Sequence, residues 1–132
     1  TQPFSHADGA RRISVVPHDG FYVDYTIRFD HPAIGTQRYC TEIDPENFSR
    51  GIAPARTFGF YKDVEYLHIH GLARGGSLDN VVVVGEDGVM NPGGLRFPDE
   101  FVRHKVLDFV GDMAMLGMPL RRRLGFWLLS SP

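Results

Sequence analysis

His104, Asp108 and Asp112 follow one another at intervals of four residues near the end of the chain. In a helix that spacing places them within about 80° of one another on one face. Residues four apart have Cβ atoms about 5–6 Å from each other, so an imidazole and a carboxylate can converge on one ion. A mixed nitrogen and oxygen donor set suits zinc, and a catalytic zinc takes three protein ligands and keeps a fourth position for water. The same spacing equally serves a solvated helix face with a His–Asp ion pair worth a few tenths of a kcal/mol. Spacing alone leaves both readings open.

The element carrying these residues reads as the longest helix, about residues 99 to 116, opened by Pro98-Asp99-Glu100 with acidic residues that suit the helix dipole. Val102, Val106, Phe109, Val110, Met113 and Ala114 form its opposite, apolar face. Upstream, Phe21 to Phe29 alternate apolar and polar residues, the period of a half-buried strand. Ile13 to Val16 and Gln37 to Ile43 read as further strands, and Asp44-Pro45 as the cap and first residue of a short helix. Arg56 to Phe60 reads as extended, Lys62 to Ile69 as a helix closed by Gly71, and Asn80 to Val84 as a buried strand. Residues 1 to 10 read as a linker. The order predicts an α+β fold, a two-layer sandwich of a mainly antiparallel sheet with helices on one face, plus a strand-helix-strand insert.

The chain has 132 residues, one domain's worth, with a net charge of −2, which disfavours nucleic acid as a partner. Its single cysteine, Cys40, fits a reducing, cytoplasmic setting, and no apolar run is long enough for a transmembrane segment. It starts Thr1-Gln2-Pro3 without Met, the expectation for a fragment or a processed piece.

The stretch from Gly93-Gly94-Leu95-Arg96-Phe97 through His104-Lys105-Val106-Leu107-Asp108 to Gly111-Asp112 resembles the zinc motif of the bacterial UDP-3-O-acyl-N-acetylglucosamine deacetylases, which perform the committed step of lipid A synthesis. Three further segments match that family in order: Gly20-Phe21 through His31-Pro32-Ala33-Ile34, Ala55-Arg56-Thr57-Phe58-Gly59-Phe60, and Gly71-Leu72 through Gly75-Gly76-Ser77. The resemblance runs from about residue 11 to 118 and implies that the chain is the second, C-terminal domain of such an enzyme.

It implies roles residue by residue. His104 and Asp108 would be two of three zinc ligands, and Asp112 would orient a catalytic histidine. Lys105 would face the diphosphate or sugar, Thr57 would donate to the oxyanion of the acetyl group, and Phe58 would line the glucosamine site. Phe29 matches a position that stacks on uracil, and Arg11 a basic position near the nucleotide. The segment 57–84 resembles an insert that forms a passage for the acyl chain, with Val64, Ala73, Val81 and Val83 at its lining positions.

The implied reaction is zinc-assisted amide hydrolysis, in which a glutamate takes a proton from the metal-bound water and a histidine assists the leaving amine. The glutamate and the third zinc ligand belong, in the family, to an N-terminal domain that these residues do not include. The Gly-His pair expected after the long helix is also absent, and Arg121 to Pro132 depart from the family as a divergent tail, read as a frame change or truncation. The isolated chain is therefore expected to be inactive. The alternative is a non-catalytic fragment that binds the acyl group or the UDP-sugar.

Overall fold

The computed structural model describes residues 2–71 and 77–130. A five-stranded sheet holds β1 (Phe4–Asp8), β2 (Arg11–Pro17), β3 (Phe21–Phe29), β4 (Thr36–Glu42) and β7 (Arg122–Ser130), in the order β1-β2-β7-β3-β4. All neighbours pair antiparallel except β3 and β7, which run parallel with Val23 opposite Leu124 and Ile27 opposite Leu128. A second, two-stranded parallel sheet pairs β5 (Thr57–Phe60) with β6 (Val81–Val84), and α2 (Tyr61–Ile69) follows β5 directly. This is the expected α+β architecture, with α3 (Glu100–Ala114) packed on one face of the large sheet and 57–84 forming a strand-helix-strand unit.

The alternation in β3 is realised from Val23 onward: Val23, Tyr25, Ile27 and Phe29 are buried in the core shared with α3, and Phe21 is half-buried against it. From α3, Phe101, Val102, Val106 and Phe109 fill the other side of that core, while Ala114 in the last turn is exposed. The short helix α1 (Pro45–Asn47) starts as its sequence demands, the Asp44 side chain accepting from the Asn47 backbone N–H at 2.8 Å. Gly71, at φ 69°, closes α2 in the left-handed conformation that glycine adopts without penalty.

Two segments depart from expectation. Residues 4–8 form an edge strand rather than a linker or loose terminus, because Gly9-Ala10 supplies a two-residue hairpin turn, with Gly9 at φ 55°. The segment expected to be a divergent tail is not peripheral. Residues 122–130 lie at the centre of the sheet, where Leu124, Phe126 and Leu128 alternate inward and Arg123, Gly125 and Trp127 outward. Phe126 stacks on Tyr25 at 5.3 Å and touches Phe109 at 4.3 Å between ring centroids. On the outward face Arg38 and Arg123 both reach Asp24, at 2.8 and 2.9 Å.

Candidate functional site

His104, Lys105 and Asp108 meet on the first half of α3. His104 Nε2 stands 3.3 Å from Asp108 Oδ1, and Lys105 Nζ stands 3.0 Å from Asp108 Oδ2. Behind the imidazole, Nδ1 lies 3.2 Å from the backbone carbonyl of Ala55. A carbonyl oxygen can only accept, so Nδ1 carries the proton. The imidazole is therefore held by its far nitrogen, and Nε2 is the atom turned towards the carboxylate.

This arrangement fits a metal. Two donor atoms bound to zinc at about 2.0–2.1 Å in tetrahedral geometry stand roughly 3.3 Å apart, which is the separation of Nε2 and Oδ1. A ligating histidine commonly donates its other N–H to a backbone carbonyl, as His104 does here. The set is partial: among the described residues no group of three or more His, Cys, Asp or Glu could hold an ion.

Asp108 and Asp112 line a cleft of about 470 Å³ together with Arg11, Lys105, Tyr25 and Trp127. Burial raises the pKa of the Tyr25 hydroxyl, and the charges of Asp108 and Asp112 raise it further. The cleft thus gathers three cations, Arg11, Arg12 and Lys105, and three carboxylates, Asp8, Asp108 and Asp112, from opposite ends of the chain, with His6 beside them. Arg11 reaches it because β2 pairs with β7, Arg11 opposite Leu128. A larger cleft, about 840 Å³, opens near His31, Phe60 and Lys62 and contains none of these groups.

Phe58 abuts the imidazole, ring to ring at 6.4 Å and edge-on, and Lys105 Nζ lies 5.5 Å from the same ring. Thr57 precedes it in β5 but is exposed and points to the other side of the small sheet, level with Val81. Phe29 is 9% exposed and packs on Phe58 and Phe60, the burial of a core residue. Val82 and Val84 enter the core, whereas Val81 and Val83 face the opposite side of the sheet, Val81 half-buried and Val83 buried. Ala73 lies outside the described residues, as does the side chain of Val64.

Sequence reasoning passed over Arg56 and Glu100. Glu100 looks like an ordinary acidic residue of a first helical turn, yet its side chain is 0% exposed and accepts from Arg56 Nε at 2.9 Å and Nη2 at 3.0 Å. Its partner lies 44 positions away, so no local pattern announces the pair. Burial opposes ionisation of this carboxyl, but the Arg56 side chain and the backbone N–H groups of Arg56 and Arg96 outweigh it and hold the pKa below the ordinary glutamate value. A carboxyl with a depressed folded-state pKa contributes its stability in full above the unfolded pKa, about 4.3, and loses it as the pH falls through the folded value. The thermal midpoint should therefore drop on acidification below about pH 4.3. Asp24, held low by Arg38, adds to that acid limb. Glu100→Gln, less stable at neutral pH, should lose less on acidification; an acid limb as steep as that of the wild type would contradict this account.

The chain matches the family model for LpxC, UDP-3-O-acyl N-acetylglycosamine deacetylase, over residues 1–125. It is similar to the UDP-3-O-acyl-N-acetylglucosamine deacetylases of Oleidesulfovibrio alaskensis and Nitratidesulfovibrio vulgaris, each 58% identical over 120 residues, which cover 91% of this chain and 39% of the relative. The protein of the same name from Syntrophotalea carbinolica is 54% identical over 116 residues, 88% of this chain and 38% of the relative. The chain spans about 39% of the length of the first two of these curated relatives.

Proposed function

The chain belongs to the UDP-3-O-acyl-N-acetylglucosamine deacetylase family, and from that premise we propose that it supplies part of a zinc hydrolase site that removes the N-acetyl group of UDP-3-O-(3-hydroxyacyl)-N-acetylglucosamine in lipid A biosynthesis. One observation carries the reading: His104 is held by Nδ1 at the Ala55 carbonyl while Nε2 faces Asp108 Oδ1 at 3.3 Å, the separation of two ligands of one ion. Zinc at that point would acidify a bound water and polarise the acetyl carbonyl.

The chain's own groups do the rest of what these 132 residues can do. Asp108 divides its carboxylate, one oxygen towards His104 and the other holding Lys105, so the lysine is kept at the mouth of the cleft. Lys105, Arg11 and Arg12 give the cleft three cations that can meet a diphosphate, beside the carboxylates of Asp8, Asp108 and Asp112. Asp112 lines the same cleft and on this reading would orient a histidine brought against it. Phe58 offers an apolar surface beside the reacting centre, with Phe29 packed behind it in the core, whereas Thr57 faces the other side of the small sheet, away from His104. Val81 and Val83 would line the acyl passage on this reading, where each buried CH₂ contributes about 0.8 kcal/mol. A cytoplasmic site of action belongs to this reading.

The third ligand and the proton-accepting glutamate come, on this reading, from the part of the family's sequence that the chain does not span. A specific observation favours a second reading for the chain taken alone, binding of the acyl group or UDP-sugar without chemistry: its described residues hold no complete ligand set. Both are tested by replacing the aligned 120 residues of the Oleidesulfovibrio alaskensis relative with those of this chain. The zinc-loaded chimera should release acetate from the UDP-sugar, and His104→Ala should cut the rate at least about a thousandfold, the scale of losing a metal ligand's share of catalysis. The 132-residue chain alone should show no turnover. A folded, zinc-loaded chimera without activity would overturn the enzymatic reading.

A further inference from the structure

One peptide group, the one joining Ala55 to Arg56, lies across a single turn of α3. Its N–H donates to Glu100 Oε1 at 2.9 Å, and its C=O accepts from His104 Nδ1 at 3.2 Å. Glu100 and His104 are four residues apart and therefore on the same face of the helix. A peptide group is planar, so fixing its N–H fixes the direction of its carbonyl. The neighbouring backbone is fixed as well: Arg96 Nη1 donates to the Pro54 carbonyl at 2.7 Å, and the Ala55 N–H bonds to the Ile52 carbonyl at 3.0 Å.

The Glu100 carboxylate has no spare capacity. Oε1 takes the Arg56 N–H and Nε, and Oε2 takes Arg56 Nη2 and the Arg96 N–H at 2.6 Å. An ion pair that served only to tie α3 to β5 would need the guanidinium alone. The bond to the Arg56 backbone adds a direction, and that direction points the Ala55 carbonyl at the imidazole.

We propose that Glu100 is a positioning residue for His104: through the Ala55–Arg56 peptide it fixes the carbonyl that holds the Nδ1 proton, and so sets where Nε2 points. The proposal rests on the metal-site reading for its purpose but not for its test, which uses the whole 132-residue chain.

In the metal-free wild type, the His104 Nδ1 proton should be visible by NMR and protected from solvent exchange. In Glu100→Gln, whose amide nitrogen cannot accept, that proton should exchange at least about tenfold faster, and zinc followed at the His104 ring should bind about 10–100-fold more weakly. Arg103→Gln is the control. Arg103 also braces α3, through Asp99 at 2.6 Å and the Gly51 carbonyl at 2.9 Å, so its loss should lower thermal stability while leaving proton and zinc readouts unchanged.

If Glu100→Gln does not fold, Glu100→Asp, which draws the carboxylate back by one methylene, is read in the same way. A wild type without a protected Nδ1 proton overturns the proposal. So does a folded Glu100 variant within about twofold of wild type in both readouts, or an Arg103→Gln chain that moves them equally. A protected proton with no zinc uptake at the ring would instead count against the metal reading and leave the positioning role to be judged on the proton.

Discussion

A chain ending at Leu120 is expected not to fold. Its loss would be that of a central strand: β7 lies between β2 and β3 and hydrogen-bonds to both, so without it β1 and β2 are cut off from β3 and β4. Leu124, Phe126 and Leu128 would also leave the core. Burying side chains of that size is worth about 1.5–3 kcal/mol each, and a domain's whole stability is only about 5–15 kcal/mol. The two exposed ladders would add unpaired backbone groups on either side of the gap. Circular dichroism and amide dispersion in an NMR spectrum check this. A truncated chain with dispersed resonances and an unchanged thermal midpoint would show that the sheet closes without β7.

That strand also marks the limit of what the sequence made legible. The alternation of Leu124, Phe126 and Leu128 with Arg123, Gly125 and Trp127 is the same signal that identified Phe21 to Phe29. Unlike Phe21 to Phe29, it lies at the end of the chain, and its place between β2 and β3 depends on partners about a hundred positions away. Elements fixed by neighbours in sequence were readable: the strand 21–29, the Asp44-Pro45 start, and Gly71 at the end of α2. At the site, His104 and Asp108 could be paired because helical periodicity is local. Arg11 joins their cleft, and Ala55 holds the imidazole, only through contacts between residues far apart in the chain. No spacing rule reaches that far.

The Arg56–Glu100 pair is the clearest case of such long-range dependence, and breaking it carries the second large expected effect. Arg56→Met should destabilise the chain by about 3–5 kcal/mol, because it leaves a carboxylate inside the protein without its counter-charge. For a domain of this size that corresponds to a thermal midpoint lower by roughly 10–20 °C. The cost arises from burial: the two side chains are 8% and 0% exposed, so water cannot replace the guanidinium. If the ion pair alone were at stake, Arg56→Met combined with Glu100→Leu should restore nearly wild-type stability, since apolar pairs often replace buried ion pairs without loss. Here the carboxylate also satisfies the backbone N–H groups of residues 56 and 96, and each of those left unpaired costs about 1–3 kcal/mol. The double variant should therefore recover only part of the loss, and a double-mutant cycle measures how much. Full recovery would mean that those two N–H groups find other partners, and that the Ala55–Arg56 peptide is held in place without Glu100.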